Sequence, residues 1–142
     1  MMRLSRELEP RSFETLLEDY ERLLRDVLAS MGGERLAVED DTVTAEFPTA
    51  NHAALAAVAA QRAVAAHEWP HGRALAMSVG LASGEQALAR CEELCDAAEG
   101  GQTFMTHAVS ELLDGEDLSI RDLGDVPLRR TEGTVQAYEL VS

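Results

Sequence analysis

The amino-acid sequence predicts an α/β fold in which helices pack against a mixed sheet. Two observations support this prediction. Segments with apolar residues every three or four positions indicate helices, and they are interspersed with segments of alternating or continuous apolar residues, which indicate strands. The predicted order is α β β α β α β α β β. The chain has 142 residues, 46% apolar and 27% charged, so we expect residues 1–142 to form a single globular domain.

The first half of the chain predicts two helices separated by a hairpin. Apolar spacing over residues 12–31 predicts an amphipathic helix with Ser12 as its N-cap, and two glycines end it. The alternation over residues 34–47 predicts two paired strands, which Pro48 ends. The alanine-rich segment 49–67 predicts the second helix.

The second half predicts a buried strand over residues 73–84 that ends in glycine. Residues 85–99 return to helical spacing, with Leu88, Cys91 and Leu94 on one face. The sequence "GGQTFMTHAVSELL" then predicts a short strand and a helix capped by Thr106, and the tail predicts two strands joined by a basic turn.

The charge of the chain excludes several classes of function. A net charge of −14 repels phosphate backbones and anionic membranes, so we expect no nucleic-acid partner and no membrane partner. No apolar run reaches the roughly 18 residues that a membrane-spanning helix needs, and no signal peptide is evident.

Cys91 and Cys95 lie four residues apart in a helical pattern, which is poor geometry for a disulfide. We expect both to be reduced core residues of a cytoplasmic protein.

Three acids, Glu39, Asp40 and Asp41, stand side by side between the two hairpin strands. Adjacent carboxylates at a turn suit a magnesium or calcium ion. They are equally typical of the solvated tip of an ordinary hairpin. The pattern alone leaves both interpretations open.

Four stretches, taken in order, resemble the catalytic domain of class III adenylate and guanylate cyclases, especially the bacterial form. They are "LLRDVLASMGGERL", "AAVAAQRAVAAHEWPHGRALAMSVGLASGE", "CDAAEGGQTFMTHAVSELL" and "SIRDLGDVPLRRTEGTVQAYELV". The resemblance implies a ferredoxin-like α+β fold with a mixed, mainly antiparallel sheet and helices packed on it. It also implies dimerisation, because cyclase active sites form between two chains.

The resemblance further implies which residues would do the chemistry. Cyclases hold two metal ions with two aspartates, one on the first strand and one at the hairpin. An asparagine and an arginine four residues later orient the ribose and stabilise the transition state, and a lysine near the hairpin reads the base.

Few of these residues have counterparts here. Asp41 matches the hairpin aspartate, but the asparagine and arginine positions hold Ala89 and Glu93, and the lysine position holds Ala37. Because the chain starts just after the matching region, we expect the first strand and its aspartate to be missing, unless the true start lies upstream. Arg129 matches a basic residue that could bind phosphate.

Arg129 and Arg130 have an alternative interpretation, in which they only balance the nearby Asp122 and Asp125. We interpret the chain as a non-catalytic, cyclase-like signalling or regulatory domain that acts as a homodimer, or as a heterodimer with another cyclase-like chain. One alternative is a weak cyclase, or one completed by a partner chain, and a second is a nucleotide sensor without turnover. No cofactor is expected; Mg²⁺ or Mn²⁺ with ATP or GTP would be needed only if the chain is an enzyme.

Overall fold

The computed structural model describes residues 1–4, 10–39, 41–69, 75–113 and 118–141, with the backbone alone for residues 10–14. Seven strands and four helices lie in these ranges. In chain order they are β1 Met2–Leu4, α1 Pro10–Ser30, β2 Glu34–Glu39, β3 Thr42–Glu46, α2 Ala50–Ala66, β4 Met77–Leu81, α3 Ala87–Ala97, β5 Thr103–Met105, α4 His107–Leu112, β6 Ser119–Pro127 and β7 Thr134–Val141.

All seven strands form one sheet in the order β2-β3-β1-β4-β5-β7-β6. Strands β4 and β5 are parallel, and the other neighbouring pairs are antiparallel. The mixed, mainly antiparallel sheet with helices packed on it is therefore confirmed.

The expectation that the first strand is missing is wrong. Residues Met2–Leu4 form β1, which lies in the sheet between β3 and β4 and pairs with both. Met2 and Leu4 are buried, and Arg3 between them is half-buried. Three residues are too few to show a strand alternation, so only the pairing with two neighbours reveals this strand.

Helices cover both faces of the sheet. Helices α1, α2 and α4 pack on one face, where Leu24, Ala57 and Val109 share a core with Met77 and Val79 of β4. Helix α3 packs on the other face, where a smaller cluster gathers Leu94, Ala97, Ala98, Phe104, Val135 and Ala137.

The alanine-rich helix α2 is buried as its composition predicts. Ala54, Ala56, Ala57 and Ala60 are fully buried, so small side chains allow this helix to approach the sheet closely. Gln61 on the same helix donates hydrogen bonds to the backbone oxygens of Met77 and Gln102 at 3.0 and 3.2 Å, which ties α2 to β4 and to the residue before β5.

The helix ends agree with the sequence in part. Thr106 caps α4 by accepting a hydrogen bond from the backbone N–H of Val109 at 3.3 Å, as predicted. Ser12 is not a cap, because α1 begins two residues earlier at Pro10. Proline suits a first helical position, since its fixed φ is helical and its missing N–H is not needed there.

None of the helices in the described ranges has the length and apolar character of a membrane-spanning segment.

Candidate functional site

The hairpin turn between β2 and β3 places Asp41 beside β1. The backbone oxygen of Asp41 accepts a hydrogen bond from the N–H of Leu4 at 3.2 Å. Its carboxylate accepts another from the Thr42 hydroxyl at 3.2 Å. Asp41 is only 9% exposed, so the interpretation of a solvated hairpin tip is wrong for this residue. Asp40, the middle acid of the three, lies outside the described residues.

Strand β1 supplies no carboxylate to this turn. Its sequence is Met-Arg-Leu, and Arg3 lies opposite Thr42 in the pairing with β3. Burial raises the pKa of the Cys95 thiol, and the positive charges of the Met1 amino group and of Arg3 oppose that shift. Since Cys95 lies on α3, the charge of Arg3 acts on the α3 side of the sheet. No group of three or more His, Cys, Asp or Glu side chains within the described ranges is arranged to hold a metal ion.

Tyr20 of α1 contributes a second buried polar group near the turn. Its side chain is 1% exposed, and its hydroxyl has no hydrogen-bond partner among the residues described. Burial raises the pKa of Tyr20, and the negative charges of Asp41 and Cys95 add to the shift. Sequence reasoning missed this residue, because a tyrosine on the apolar face of a helix gives no sign that its hydroxyl will lack a partner.

Helix α3 holds Ala89 and Glu93, which the sequence resemblance matches to the cyclase asparagine and arginine. Ala89 is exposed and offers no hydrogen-bonding side chain. Glu93 is half-buried and forms an ion pair with Arg90 one turn earlier, at 3.1 Å. Ala37, at the lysine position, is exposed on β2 opposite Thr44. At the positions that the sequence resemblance matches to the cyclase asparagine and arginine, the side chains are therefore an exposed alanine and an ion-paired glutamate.

The basic turn between β6 and β7 is anchored by Asp96 of α3. One carboxylate oxygen of Asp96 accepts hydrogen bonds from the backbone N–H groups of Arg129 and Arg130, both at 3.1 Å. Arg129 pairs with Glu99 at 2.9 Å, and the guanidinium of Arg130 lies 3.6 Å from Asp96. The suggestion that these arginines balance Asp122 and Asp125 is wrong, because α3 provides their partners. Both arginines remain exposed.

The two cysteines are buried, unbridged core residues, as predicted. Cys95 donates from its thiol to the backbone oxygens of Met1 and Ser78, at 3.4 and 3.9 Å.

A cleft of about 780 Å³ opens at the end of the sheet opposite Asp41. The carboxyl ends of β3 and β4, the first turns of α2 and α3, and α4 line it. Leu88 and Leu112 line its walls and are 58% and 59% exposed. The sequence placed Leu88 on the buried face of its helix. Leu88 does lie on the same helix face as Cys91, which packs against Gly80 of β4. However, Leu88 is one turn nearer the start of α3, where the helix extends past the end of β4 and into the wall of the cleft.

Comparison with known proteins supports the fold and no closer relation. No protein-family model matches the sequence, and no curated protein matches it. The solved structures that resemble the chain include an adenylate cyclase from Trypanosoma brucei studied in its monomeric state. That similarity has a TM-score of 0.79 at 16% identity and covers 98% of this chain and 86% of the other.

Two further solved structures have the same fold as this chain. The guanylate cyclase domain of a Catenaria anguillulae protein, solved with GTP, has a TM-score of 0.76 at 9% identity, covering 99% of this chain and 93% of that domain. An adenylate/guanylate cyclase/hydrolase from Silicibacter pomeroyi has a TM-score of 0.69 at 18% identity, covering 99% and 94%. The chain therefore has the fold of class III adenylate and guanylate cyclase catalytic domains, as the sequence resemblance predicts.

Proposed function

We propose that this chain is a non-catalytic, cyclase-like domain of the cytoplasm that acts by dimerisation or by binding a partner protein. The observation that carries the proposal is the set of side chains at the cyclase positions. Strand β1, Met2–Leu4, holds no acid, and the resemblance matches Ala89 and Glu93 of α3 to the cyclase amide and cation.

Each replacement opposes nucleotide cyclisation for a physical reason. Because β1 is Met-Arg-Leu, it offers no second carboxylate with which Asp41 could share a divalent metal ion. Glu93 places negative charge where negative charge develops on the transferred phosphate, and removing one stabilising cation already costs orders of magnitude in rate. Ala89 cannot hydrogen-bond a ribose.

A binding role makes a direct prediction about association. The purified protein should form a dimer at high micromolar concentration, or should capture a cyclase-like partner chain, and sedimentation velocity together with light scattering would measure this. A chain that stays monomeric over that range and binds no partner would remove the main support for the proposal.

One observation favours a second candidate, a weak or partner-completed cyclase that would need Mg²⁺ or Mn²⁺ with ATP or GTP. Asp41 keeps a carboxylate at the hairpin position, and Arg129 keeps a cation at the position that matches a phosphate-binding residue. A nucleotide sensor without turnover would use the same two residues.

Thermal unfolding with a panel of nucleotides and Mn²⁺ separates a sensor from a pure interaction domain. A ligand present at 100 times its dissociation constant adds about 2.7 kcal/mol of stability. An unchanged melting temperature would exclude nucleotide binding, and a shift that Asp41→Asn reduces would establish it.

A further inference from the structure

We propose that the cleft at the end of the sheet binds an amphipathic helix of a partner protein, with leucine-like side chains on its apolar face and lysines or arginines on its polar face. This inference rests on the proposed function, in which the chain acts by binding, and it specifies the chemistry of a partner.

Two exposed leucines make the walls of the cleft apolar. Leu88 on α3 and Leu112 on α4 are the two most exposed large apolar side chains of the described residues, and both line the cleft. Leu81 and Val109, which also line it, are 8% and 3% exposed. The cleft therefore has a buried apolar floor between two exposed apolar walls. An amphipathic helix fits such a groove by inserting side chains spaced three or four residues apart.

Glutamates lie at or beside the rim of the cleft. Glu46 lies in the wall of the cleft, and the exposed Glu85 and Glu111 are next in sequence to lining residues. Arg35, which also lines the cleft, pairs with Glu46 at 3.2 Å, and the imidazole of His107 contacts Glu111 at 2.8 Å. Glu85 makes no ion pair among the residues that the structure describes. The rim is therefore acidic on balance, and it complements a cationic helix.

The charge also discriminates between occupants. A second copy of this chain would bring a net charge of −14 and the same acidic rim, so like charges would face each other at this cleft. A small apolar molecule on the floor would leave the acidic rim uncompensated. A cationic amphipathic helix would cover both leucines and neutralise the glutamates.

The cleft is separate from the cyclase-like positions at the hairpin. Asp41 precedes the first residue of β3, whereas Glu46 is the last residue of the same strand. A helix in the cleft would therefore not depend on Asp41, and Asp41→Ala should leave its affinity unchanged.

A labelled peptide of about 18 residues, with leucine and lysine at helical spacing, is a suitable probe for fluorescence anisotropy. The reference is a scrambled peptide of the same composition. The test variant is Leu88→Ser with Leu112→Ser. The matched control is Leu55→Ser with Ile120→Ser, since those residues are 47% and 40% exposed and do not line the cleft.

We expect the patterned peptide to bind more tightly than the scrambled one. The Leu88/Leu112 variant should lose affinity by about tenfold, because two apolar contacts are removed from the interface. The Leu55/Ile120 variant should bind as the unmodified protein does. Glu85→Gln should weaken binding mainly at low salt, since a rim charge acts through screened attraction. The four leucine and isoleucine positions are exposed, so thermal unfolding should show that both double variants are folded.

Three results would overturn the inference: equal binding of both peptides, no effect of the Leu88/Leu112 variant, or loss of self-association in that variant, which would assign the cleft to a second copy. Cyclic nucleotide formation, measured on the same preparation, keeps the two proposals apart. Turnover together with specific peptide binding would refute the non-catalytic function but would support helix binding at the cleft. If neither turnover nor specific peptide binding is found, only the proposal that the cleft binds a helix would be refuted.

Discussion

At the scale of single residues, two buried polar side chains are the clearest departures from an ordinary core. Asp41 is nearly enclosed at the hairpin turn, and the Tyr20 hydroxyl is buried with no partner among the described residues. The sequence predicts that Asp41 belongs to a turn, because three acids follow an alternating run. It does not predict the burial of Asp41, nor the hydrogen bond from the Leu4 N–H of β1 to its backbone oxygen.

Replacing Tyr20 with phenylalanine tests the cost of that hydroxyl. A buried polar group without a hydrogen bond costs about 1–3 kcal/mol, so Tyr20→Phe should raise the free energy of unfolding by about 1 kcal/mol, as urea denaturation would measure. Tyr20→Leu, which also removes the ring, should destabilise the protein. A loss of stability in Tyr20→Phe would show that the hydroxyl has a partner.

Stability should also fall at alkaline pH, because the pKa values of Cys95 and Tyr20 are raised above their ordinary values of 9.0 and 10.0. The fold favours the neutral form of each group. This preference contributes fully to the free energy of unfolding below the pKa that the group has in the unfolded chain. The contribution is lost as the pH rises above that value, by up to about 1.4 kcal/mol per pH unit for each group.

Urea denaturation at pH 8, 9, 10 and 11 would follow this loss. Tyr20→Phe should flatten the curve above about pH 10, where the tyrosine of the unfolded chain ionises. An unchanged slope in that variant would show that Tyr20 does not titrate differently in the two states.

At the scale of elements, the sequence predicts the type of each long element, because its apolar period extends over many residues. The hairpin, the alanine-rich helix and the cap at Thr106 were predicted from pattern and cap chemistry. Strand β1 was missed because three residues carry no period. The exposure of Leu88 was missed because periodicity gives the face of a helix and says nothing of where the sheet beneath it ends.

The contact between α3 and β4 depends on Gly80. A Cβ atom there would lie 2.8 Å from the backbone oxygen of Cys91 and 3.1 Å from the Cβ of Leu94. Gly80→Ala should therefore push α3 away and cost about 1–3 kcal/mol of unfolding free energy, while Ala89→Ser on the exposed side of the helix should cost little. Equal stability of the two variants would show that α3 does not pack this closely on β4.

The basic turn between β6 and β7 depends on Asp96. Its carboxylate is 11% exposed and accepts hydrogen bonds from two backbone N–H groups. Asp96→Ala, which removes both hydrogen bonds, should therefore cost about 1.5–3 kcal/mol, as is typical of hydrogen bonds to a charged group. Glu99→Gln, which removes only the exposed pair with Arg129, should cost less than about 1 kcal/mol. Chemical denaturation of both variants would measure the difference, and the reverse order would contradict the anchoring role of Asp96.

At the scale of the whole molecule, the chain has a cyclase fold, and we propose that its side chains do not support cyclase chemistry. The fold was predictable because resemblance in four long stretches reflects packing, which many residues share. The assignments of Asp41, Ala89 and Glu93 rest on motifs matched position by position, and they stay predictions. The cleft was not predictable, because it forms where residues far apart in sequence meet at the end of the sheet.

Cyclic nucleotide formation tests the central claim most directly. The protein at high micromolar concentration would be incubated with Mn²⁺ and ATP or GTP, and the products separated by chromatography, with Asp41→Ala as the control. Because β1 holds no acid, and because the resemblance matches Ala89 and Glu93 to the cyclase asparagine and arginine, we predict no cyclic product above the level of the Asp41→Ala variant. Turnover that Asp41→Ala abolishes would contradict this account and establish the chain as an enzyme.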